Sequence, residues 1–349
     1  MMLRTVFLGT GLALLMASSA LAQVERREVG QLVYEGAPAA SPELQATISP
    51  YYEVRSAVFE DWLADGSMLV ATRFGQTEQI HHIAQPLGAR TQLTFFDEPI
   101  TVATAQPGAT RFAYRRDEGG SEYYQGFLRD LSGQEVRLTR PETRNSDFVF
   151  SKDGRQVAWS QVTPGDPNYD IMIAEAANPD GRRVVLEGEG AMSPLEISAD
   201  GGRMLLTRYN SVADVELFVL DVAPGDLTRL GPSDRKVHYA GAAFGPGAAS
   251  VVTLSDDGSE MTRPVVFDLA TGAIRDLDPG AIWPAEGFDL SPDGRTIAYV
   301  VNEEGYSKVV LRDVASGRVL PGPDLPQGVL TALKFSPDGA RLGLSLSTY

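Results

Sequence analysis

Apolar and polar residues alternate along most of this chain, in short runs joined by glycine turns. Phe148 and Phe150 precede the Asp153-Gly154 pair, and Val157 and Trp159 follow it, at alternate positions. Because successive side chains of a strand point to opposite faces, this pattern predicts two antiparallel strands joined by a tight hairpin. Two further strands are predicted at 170–174 and 183–186, so the unit comprises four strands.

The same turn returns seven times, and its successive glycines lie 42 to 47 residues apart. Four antiparallel strands per such period are typical of a β-propeller blade of the WD40-like kind. An apolar period of two excludes a helical solenoid, and a single β-sandwich would not repeat at this interval. The predicted structural turns contain Asp65, Gly66, Gly108, Asp153, Gly154, Asp200, Gly201, Gly247, Asp293, Gly294, Asp338 and Gly339.

The predicted fold class is therefore all-β: a β-propeller over residues 55–349, with six complete four-stranded blades and a truncated seventh. The seventh unit contains only the strands at 333–335 and 342–346. The second of these lacks an outer partner, which forgoes several ladder hydrogen bonds of about 1 kcal/mol each. We interpret the chain as a fragment of a longer protein and expect it, alone, to be unstable or to associate through this blade.

Two segments precede the propeller. Residues 1–22 have the features of a secretory signal peptide: Arg4, a short apolar run and an Ala20-Leu21-Ala22 cleavage site. Residues 23–54 form an N-terminal extension, in which Ser41 and the following proline predict the start of a short helix that ends at Pro50. We therefore expect an exported, periplasmic protein with no membrane span after cleavage of the signal.

Composition narrows the possible partners. The chain has 30 Lys+Arg and 46 Asp+Glu, a net charge of −16, which argues against nucleic acid or an anionic membrane as partner. It contains no cysteine, so disulfides contribute nothing to its stability even after export. No cofactor is indicated.

No catalytic or metal-binding residues are predicted. A nucleophile elbow needs Gly-x-Ser-x-Gly between a strand and a helix, and the segments around Ser121 and Ser345 both lack the final glycine. The adjacent His81 and His82 should point to opposite faces of a strand, one to solvent and one to a blade interface, and His238 is isolated. The Asp256-Asp257-Gly258 segment lacks the remaining ligands of a calcium loop and is interpreted as a turn.

The sequence does not decide whether any aromatic or charged residue near the strands binds a ligand. Core packing is predicted for the three tryptophans, Trp62, Trp159 and Trp283. Glu53, Arg55 and Arg73 are weak candidates for lining a central channel and contacting a peptide.

Several runs together resemble a known family: YYEVRSA (51–57), DWLADG (61–66), TRFG (72–75) and, most distinctively, GARTQLTFFDEP (88–99). AAF (242–244), FDLSPDG (288–294), YVVNE (299–303) and LGLSLS (342–347) add to the likeness. Over residues 45–349 the chain is similar to the N-terminal part of exported bacterial serine peptidases of the prolyl oligopeptidase family. The resemblance implies a propeller that restricts access of peptides to an α/β-hydrolase domain following it in sequence. It ends before that domain, so no residue of the catalytic triad is carried over.

Three hypotheses of function follow. The first is a substrate-gating propeller of a periplasmic serine peptidase, inactive by itself, whose peptides reach it through the missing hydrolase domain. The second is a stand-alone periplasmic interaction propeller similar to TolB, although residues 23–54 are too few for the separate domain that such proteins carry before the propeller. The third is the product of a decayed gene.

Overall fold

The computed structural model of the chain describes residues 24–348, so the predicted signal peptide at 1–22 lies outside the described residues. The first elements precede the propeller: a hairpin of β1 (Arg26–Val29) and β2 (Leu32–Glu35), followed by the helix α1 (Pro42–Tyr52). The turn of the hairpin contacts blade two, where the Gln31 N–H donates to the Gly119 carbonyl oxygen at 2.9 Å. Ser41 caps the helix, since its Oγ accepts a hydrogen bond from the Leu44 N–H at 3.1 Å. None of the residues of α1 is buried.

The predicted helix end at Pro50 is wrong, because α1 continues through that residue to Tyr52. A proline in the last turn removes only one backbone donor. The turn beyond it is closed by a weak hydrogen bond from the Glu53 N–H to the Pro50 carbonyl oxygen at 3.4 Å.

Six complete four-stranded blades and two strands of a seventh follow, each blade a meander in which every strand pairs antiparallel with the next. Blades one to three comprise β3 (Ala57–Trp62), β4 (Met68–Thr72), β5 (Gln79–Ile83) and β6 (Arg90–Gln92); β7 (Ala103–Ala105), β8 (Arg111–Arg116), β9 (Gln125–Asp130) and β10 (Glu135–Arg137); and β11 (Arg144–Phe150), β12 (Gln156–Val162), β13 (Asp170–Glu175) and β14 (Asn178–Leu186).

Blades four to six comprise β15 (Ala191–Ile197), β16 (Arg203–Ser211), β17 (Asp214–Asp221) and β18 (Asp226–Leu230); β19 (Tyr239–Phe244), β20 (Ser250–Ser255), β21 (Arg263–Asp268) and β22 (Ile274–Asp276); and β23 (Ala285–Leu290), β24 (Thr296–Glu303), β25 (Tyr306–Asp313) and β26 (Val319–Leu320). A 3₁₀ turn, Pro246–Ala248, joins β19 to β20. The seventh blade contains β27 (Val329–Phe335) and β28 (Leu342–Ser347). The predicted fold class is confirmed.

The core lies between blades rather than within them. Each of five buried apolar clusters joins the facing sides of two neighbouring blades, from the pair one and two to the pair five and six. Blade seven contacts blade six through β27 and blade one through both of its strands, which completes the ring. Two of the predicted core tryptophans are buried, Trp62 at 7% and Trp159 at 0% exposure. The third prediction is wrong: Trp283 is half-buried in the loop between β22 and β23.

The inner strand of every blade begins at one rim of the ring, here called the upper rim, and ends in a hairpin turn at the lower rim. The predicted turn residues lie in these hairpins. In blade three the Asp153 carboxylate accepts from Ser151 Oγ at 2.6 Å and from the Arg155 N–H at 3.0 Å. The Ser151 hydroxyl, more than any other partner, lowers the pKa of Asp153 to about 2. The same serine–aspartate pair recurs at 198/200, 291/293 and 336/338.

Two turn glycines with similar φ angles provide a test of how closely neighbouring blades approach. Gly154 and Gly108 have φ angles of +70° and +72°, where any L side chain is strained. A Cβ at Gly154 would overlap the Pro107 carbonyl oxygen of the preceding blade, whereas a Cβ at Gly108 would meet no atom within 4 Å. We expect Gly154→Ala to lower the free energy of unfolding by about 2–4 kcal/mol and Gly108→Ala by only about 1–2 kcal/mol. Urea unfolding would measure both, and equal losses would contradict the close approach of the two blades.

No helix within residues 24–348 has the length and apolar character needed to cross a lipid bilayer.

Candidate functional site

The inner strands surround the axis of the ring, and six of the seven carry a β-bulge. Bulges interrupt the register of β3, β11, β15, β19, β23 and β27 against their second strands. A bulge leaves one residue without a ladder partner and re-aims its side chain. Because an inner strand has no neighbour on its axial side, an exposed bulge residue faces the central channel.

Three of the bulge residues are acidic. Asp147 and Glu286 are exposed, and Glu60 is half-buried. Asp147 has a positive φ of 57°, and its carboxylate accepts from the Ser193 hydroxyl of the next blade at 2.9 Å. Blades three and six thus each place an exposed carboxylate at the channel, and the half-buried Glu60 of blade one accepts from the Ala103 N–H of blade two at 3.2 Å.

A second set of carboxylates lies nearer the lower rim and links neighbouring blades. Asp61, Glu196 and Asp289 each accept a hydrogen bond from a backbone N–H on the inner strand of the following blade. The donors are Ala105 at 2.8 Å, Phe244, and Phe335 at 2.6 Å, respectively. We call these three the clamp carboxylates. They satisfy edge N–H groups that have no ladder partner, which would otherwise be costly to bury.

Two lysines pair with the clamp carboxylates. Lys334 of blade seven places its Nζ 2.8 Å from Asp61 Oδ2, and its backbone carbonyl accepts from Trp62 Nε1 at 3.2 Å. Lys152, in the turn of blade three, lies 3.2 Å from Glu196 Oε1. The Lys334 contact joins the last blade to the first, and a hydrogen bond from the Phe59 N–H to Ser345 Oγ at 2.7 Å supports the same junction.

Burial and mutual repulsion shift the protonation of this region. Burial chiefly raises the pKa of Glu60 to about 7, and the neighbouring charges of Asp61 and Glu78 add to that effect. Burial also raises the pKa values of Glu196 and Asp289. Burial lowers the pKa of Lys334, but the attraction of Asp61 and the other nearby carboxylates outweighs it and leaves that pKa raised.

The shift of Glu60 predicts an unusual pH dependence. The folded protein holds the proton more tightly than the unfolded chain, whose glutamate has a pKa of 4.5. The stabilising contribution of protonated Glu60 is therefore complete below pH 4.5 and is lost as the pH rises to about 7. Glu60→Gln keeps an oxygen to accept from the Ala103 N–H and removes the titration. We expect the variant to gain stability relative to the natural chain between pH 5 and 8, as measured by urea unfolding; parallel stability curves would contradict the shift.

The weak channel candidates predicted from sequence do not reach the inner strands. Glu53 follows the last residue of α1, and Arg55 is exposed in the linker before β3. Arg73 follows the second strand of blade one, where its guanidinium donates to the carbonyl oxygens of Val54 and Gln76. The structure therefore places these three at the upper rim of blade one, away from the channel carboxylates.

The histidines do not form a metal site. His81 is fully buried, with its Nδ1 2.9 Å from the Gln79 carbonyl oxygen, and burial lowers its pKa. One of the two histidines was predicted to face solvent, but His82, the less buried of them, is only half-exposed. Within residues 24–348, no group of three potential ligands comes together for a metal ion.

The two serines considered as nucleophiles and the acidic turn have other surroundings. Ser345 makes the Phe59 contact between blades seven and one, and Ser121 lies in a loop of blade two. Asp256 accepts from the His238 N–H at 2.8 Å, and Asp257 pairs with Arg235 at 2.8 Å.

Sequence reasoning missed the clamp carboxylates, although a signal for them exists. Asp61, Glu196 and Asp289 each stand five residues before a turn glycine, and Lys334 occupies the same position in blade seven. A charged residue recurring at one position of a strand that is otherwise apolar indicates a shared structural partner. The partner itself, a backbone N–H of the next blade, depends on the ring and is not visible in the sequence.

Comparison with known proteins places the fold among propellers. No protein-family model matches the chain, and no curated protein sequence matches it. A solved structure from a study of two prolyl endopeptidases is similar with a TM-score of 0.67 and 12% identity, over 92% of this chain and 55% of that one. Prolyl oligopeptidase B from Galerina marginata is similar with a TM-score of 0.66 and 15% identity, over 88% of this chain and 49% of that one.

TolB from Acinetobacter baumannii is also similar, with a TM-score of 0.51 and 16% identity, over 82% of this chain and 71% of that one. At these identities the likeness concerns the fold alone. The chain spans about half the length of the two prolyl peptidases, so it corresponds to their propeller domains.

Proposed function

We propose that this chain is the substrate-gating propeller portion of a periplasmic serine peptidase of the prolyl oligopeptidase type. In this proposal the propeller covers a catalytic α/β-hydrolase domain and limits which peptides reach it. The chain hydrolyses nothing by itself. The likeness to the propellers of prolyl peptidases and the run at 88–99 support this assignment.

The observation that carries the proposal is the position of the two ends of the propeller. β3 begins at the upper rim, and β28 ends there, since Ser347 pairs with Val329, the first residue of β27. Chain segments before and after the propeller can therefore both reach a single domain lying over that rim.

The upper rim also has the apolar side chains that a covering domain would bury. Large exposed apolar residues collect in its loops and strand ends: Phe74, Phe95, Tyr123, Tyr209, Val212 and Ile282. The helix α1, which precedes β3, adds Tyr51 and Tyr52 at 80% and 71% exposure. A group of exposed apolar side chains on one side of a protein marks an interaction surface more often than a surface that contacts only water.

The channel carboxylates give the gate a charge preference. Asp147 and Glu286 attract cations and repel anions at short range, and Glu60, whose pKa is about 7, adds to this when it is ionised. We expect labelled lysine-rich peptides to bind the purified chain more tightly than matched glutamate-rich peptides, by about tenfold at low salt, and the difference to shrink in 0.5 M salt. Fluorescence anisotropy would measure this, and Asp147→Asn with Glu286→Gln should reduce the preference. An unchanged preference in the double variant would place the selectivity elsewhere.

The experiment that tests the assignment examines the native product. An antibody against residues 140–320 would capture the protein from periplasm, and its intact mass and its labelling by a fluorophosphonate serine probe would be measured. A species much heavier than 37.6 kDa that takes up the label supports the proposal. Active-site-serine labelling or peptidase activity of the 349-residue chain alone would refute it.

The second candidate is an interaction propeller of the TolB kind, favoured by the likeness to TolB over most of that protein. A captured species no heavier than this chain, accompanied by an envelope protein in equal amount, would support it over the first.

A further inference from the structure

A groove of about 630 Å³ runs between the outer halves of blades four and five. One side consists of residues from β17 and β18, and the other of residues from β21 and β22. It lies at the periphery of the ring, outside the central channel, and none of its residues belongs to the clamp carboxylates.

The floor of the groove and part of its walls are apolar. Val219 and Phe267, at 7% and 3% exposure, form its floor, where the facing sides of the two blades meet. Leu230 and Leu269 are half-buried above them, and Ile274 opposite Phe267 is 48% exposed at the outer margin. An apolar side chain entering here would lose its contact with water on both sides.

Charges in the groove balance. Three arginines and three aspartates contribute to the lining: Arg203, Arg229, Arg235, Asp221, Asp257 and Asp268. Arg235 and Asp257 pair with each other at the upper end, and the Arg229 guanidinium turns away to Glu216. At the lower end Arg203 and Asp221 are register partners, yet within residues 24–348 neither forms an ion pair; the Arg203 guanidinium lies over the Phe244 ring, 5.8 Å from its centroid. A donor and an acceptor side by side suit a ligand that has both, such as a peptide group, better than a ligand of either net charge.

The backbone on one side of the groove is also free. β18 is the outermost strand of blade four and pairs only with β17. Three consecutive residues of β18, Thr228 to Leu230, line the groove, so its open edge of N–H and C=O groups lies along it. Such an edge is complementary to another extended backbone, which repeats its donors and acceptors at the same spacing.

We propose that this groove binds an extended, uncharged peptide segment as an added strand beside β18. Alternate side chains of the peptide enter the apolar space over Phe267 and Val219, and the Arg203–Asp221 pair hydrogen-bonds its backbone at the lower end. This is a second peptide-binding site, separate from the channel, and it does not depend on the proposed peptidase function.

The test uses the purified chain and a fluorescein-labelled peptide of eight alternating valines and threonines, blocked at both ends. We expect saturable binding by fluorescence anisotropy, with little change between 0.05 and 0.5 M salt. Ile274→Glu places a charge in the apolar wall and should weaken binding at least about tenfold. The matched control is Val319→Glu, which alters an exposed residue at the same position after the turn glycine of blade six and should stay within about twofold.

Two further outcomes decide the mode of binding. A peptide with prolines at alternate positions cannot donate along the strand edge, and its binding should fall to background. Absence of saturable binding by the first peptide, equal losses in both variants whose circular dichroism is unchanged, or equal binding of the proline peptide would each overturn the proposal.

Discussion

Replacing Trp159 with alanine is expected to lower the free energy of unfolding by about 3–5 kcal/mol, the cost of a large cavity in a core that cannot collapse. Trp159 lies in β12 with no exposed surface and stacks on Phe148 with ring centroids 5.9 Å apart. It belongs to the cluster that joins blades two and three, so its loss weakens an interface between blades as well as one sheet.

Trp159→Phe is the control for this prediction. The indole Nε1 has no hydrogen-bond partner within residues 24–348, so removing it leaves no acceptor unsatisfied. We expect the phenylalanine variant to lose only about 1–2 kcal/mol. Chemical unfolding followed by circular dichroism would measure both variants. If phenylalanine were as harmful as alanine, the ring nitrogen would have a structural partner after all.

Replacing Asp61 with alanine is the second large effect, with an expected loss of about 2–4 kcal/mol. The side chain is 7% exposed and accepts from the N–H groups of Trp62 and Ala105 as well as from Lys334. Its removal leaves two backbone donors and an ammonium without their acceptor. The estimate is below that for a fully buried pair because the Lys334 side chain is 41% exposed and regains water.

Lys334→Met separates the charge from the backbone bonds. It keeps the apolar stem and leaves Asp61 with both N–H donors, so we expect a loss of about 1 kcal/mol or less. In the double variant the losses should not add, because one pair is removed twice. A methionine variant as unstable as Asp61→Ala would mean that the ion pair, and not the backbone bonds, holds blades seven, one and two together.

The repeat unit was predictable because it is encoded locally. The Asp153-Gly154 turn and the alternation on either side of it fix strand directions and the hairpin within ten residues of chain. The turns at Pro107-Gly108 and Pro246-Gly247 were predicted for the same reason. Gly108 stands one position earlier in its hairpin than Gly154 does, because the equivalent hairpin hydrogen bonds are donated by the N–H groups of Gln106 and Ser151. Blade number followed from the period.

Contacts around the ring were not predictable in this way. Trp283 lies in the loop between β22 and β23 and is half-buried, whereas Trp62 and Trp159 lie in strands and are buried. The predicted helix end at Pro50 is wrong because a proline near the end of a helix removes few hydrogen bonds. The predicted channel candidates are charged residues close to the first strand in sequence, whereas the innermost strand of each blade determines which residues line the channel.

Within residues 24–348 each strand pairs only with its neighbours in sequence, but blade seven contacts blade one across the whole length of the ring. Phe59 hydrogen-bonds Ser345 across 286 positions of chain, and Lys334 contacts Asp61 across 273. During synthesis the blades can therefore form one after another as they leave the ribosome, with little loop entropy to overcome at each step. The ring itself is completed only when the hairpin of β27 and β28 arrives, so the facing side of blade one stays uncovered until the ribosome has added Ser345, 286 positions after Phe59.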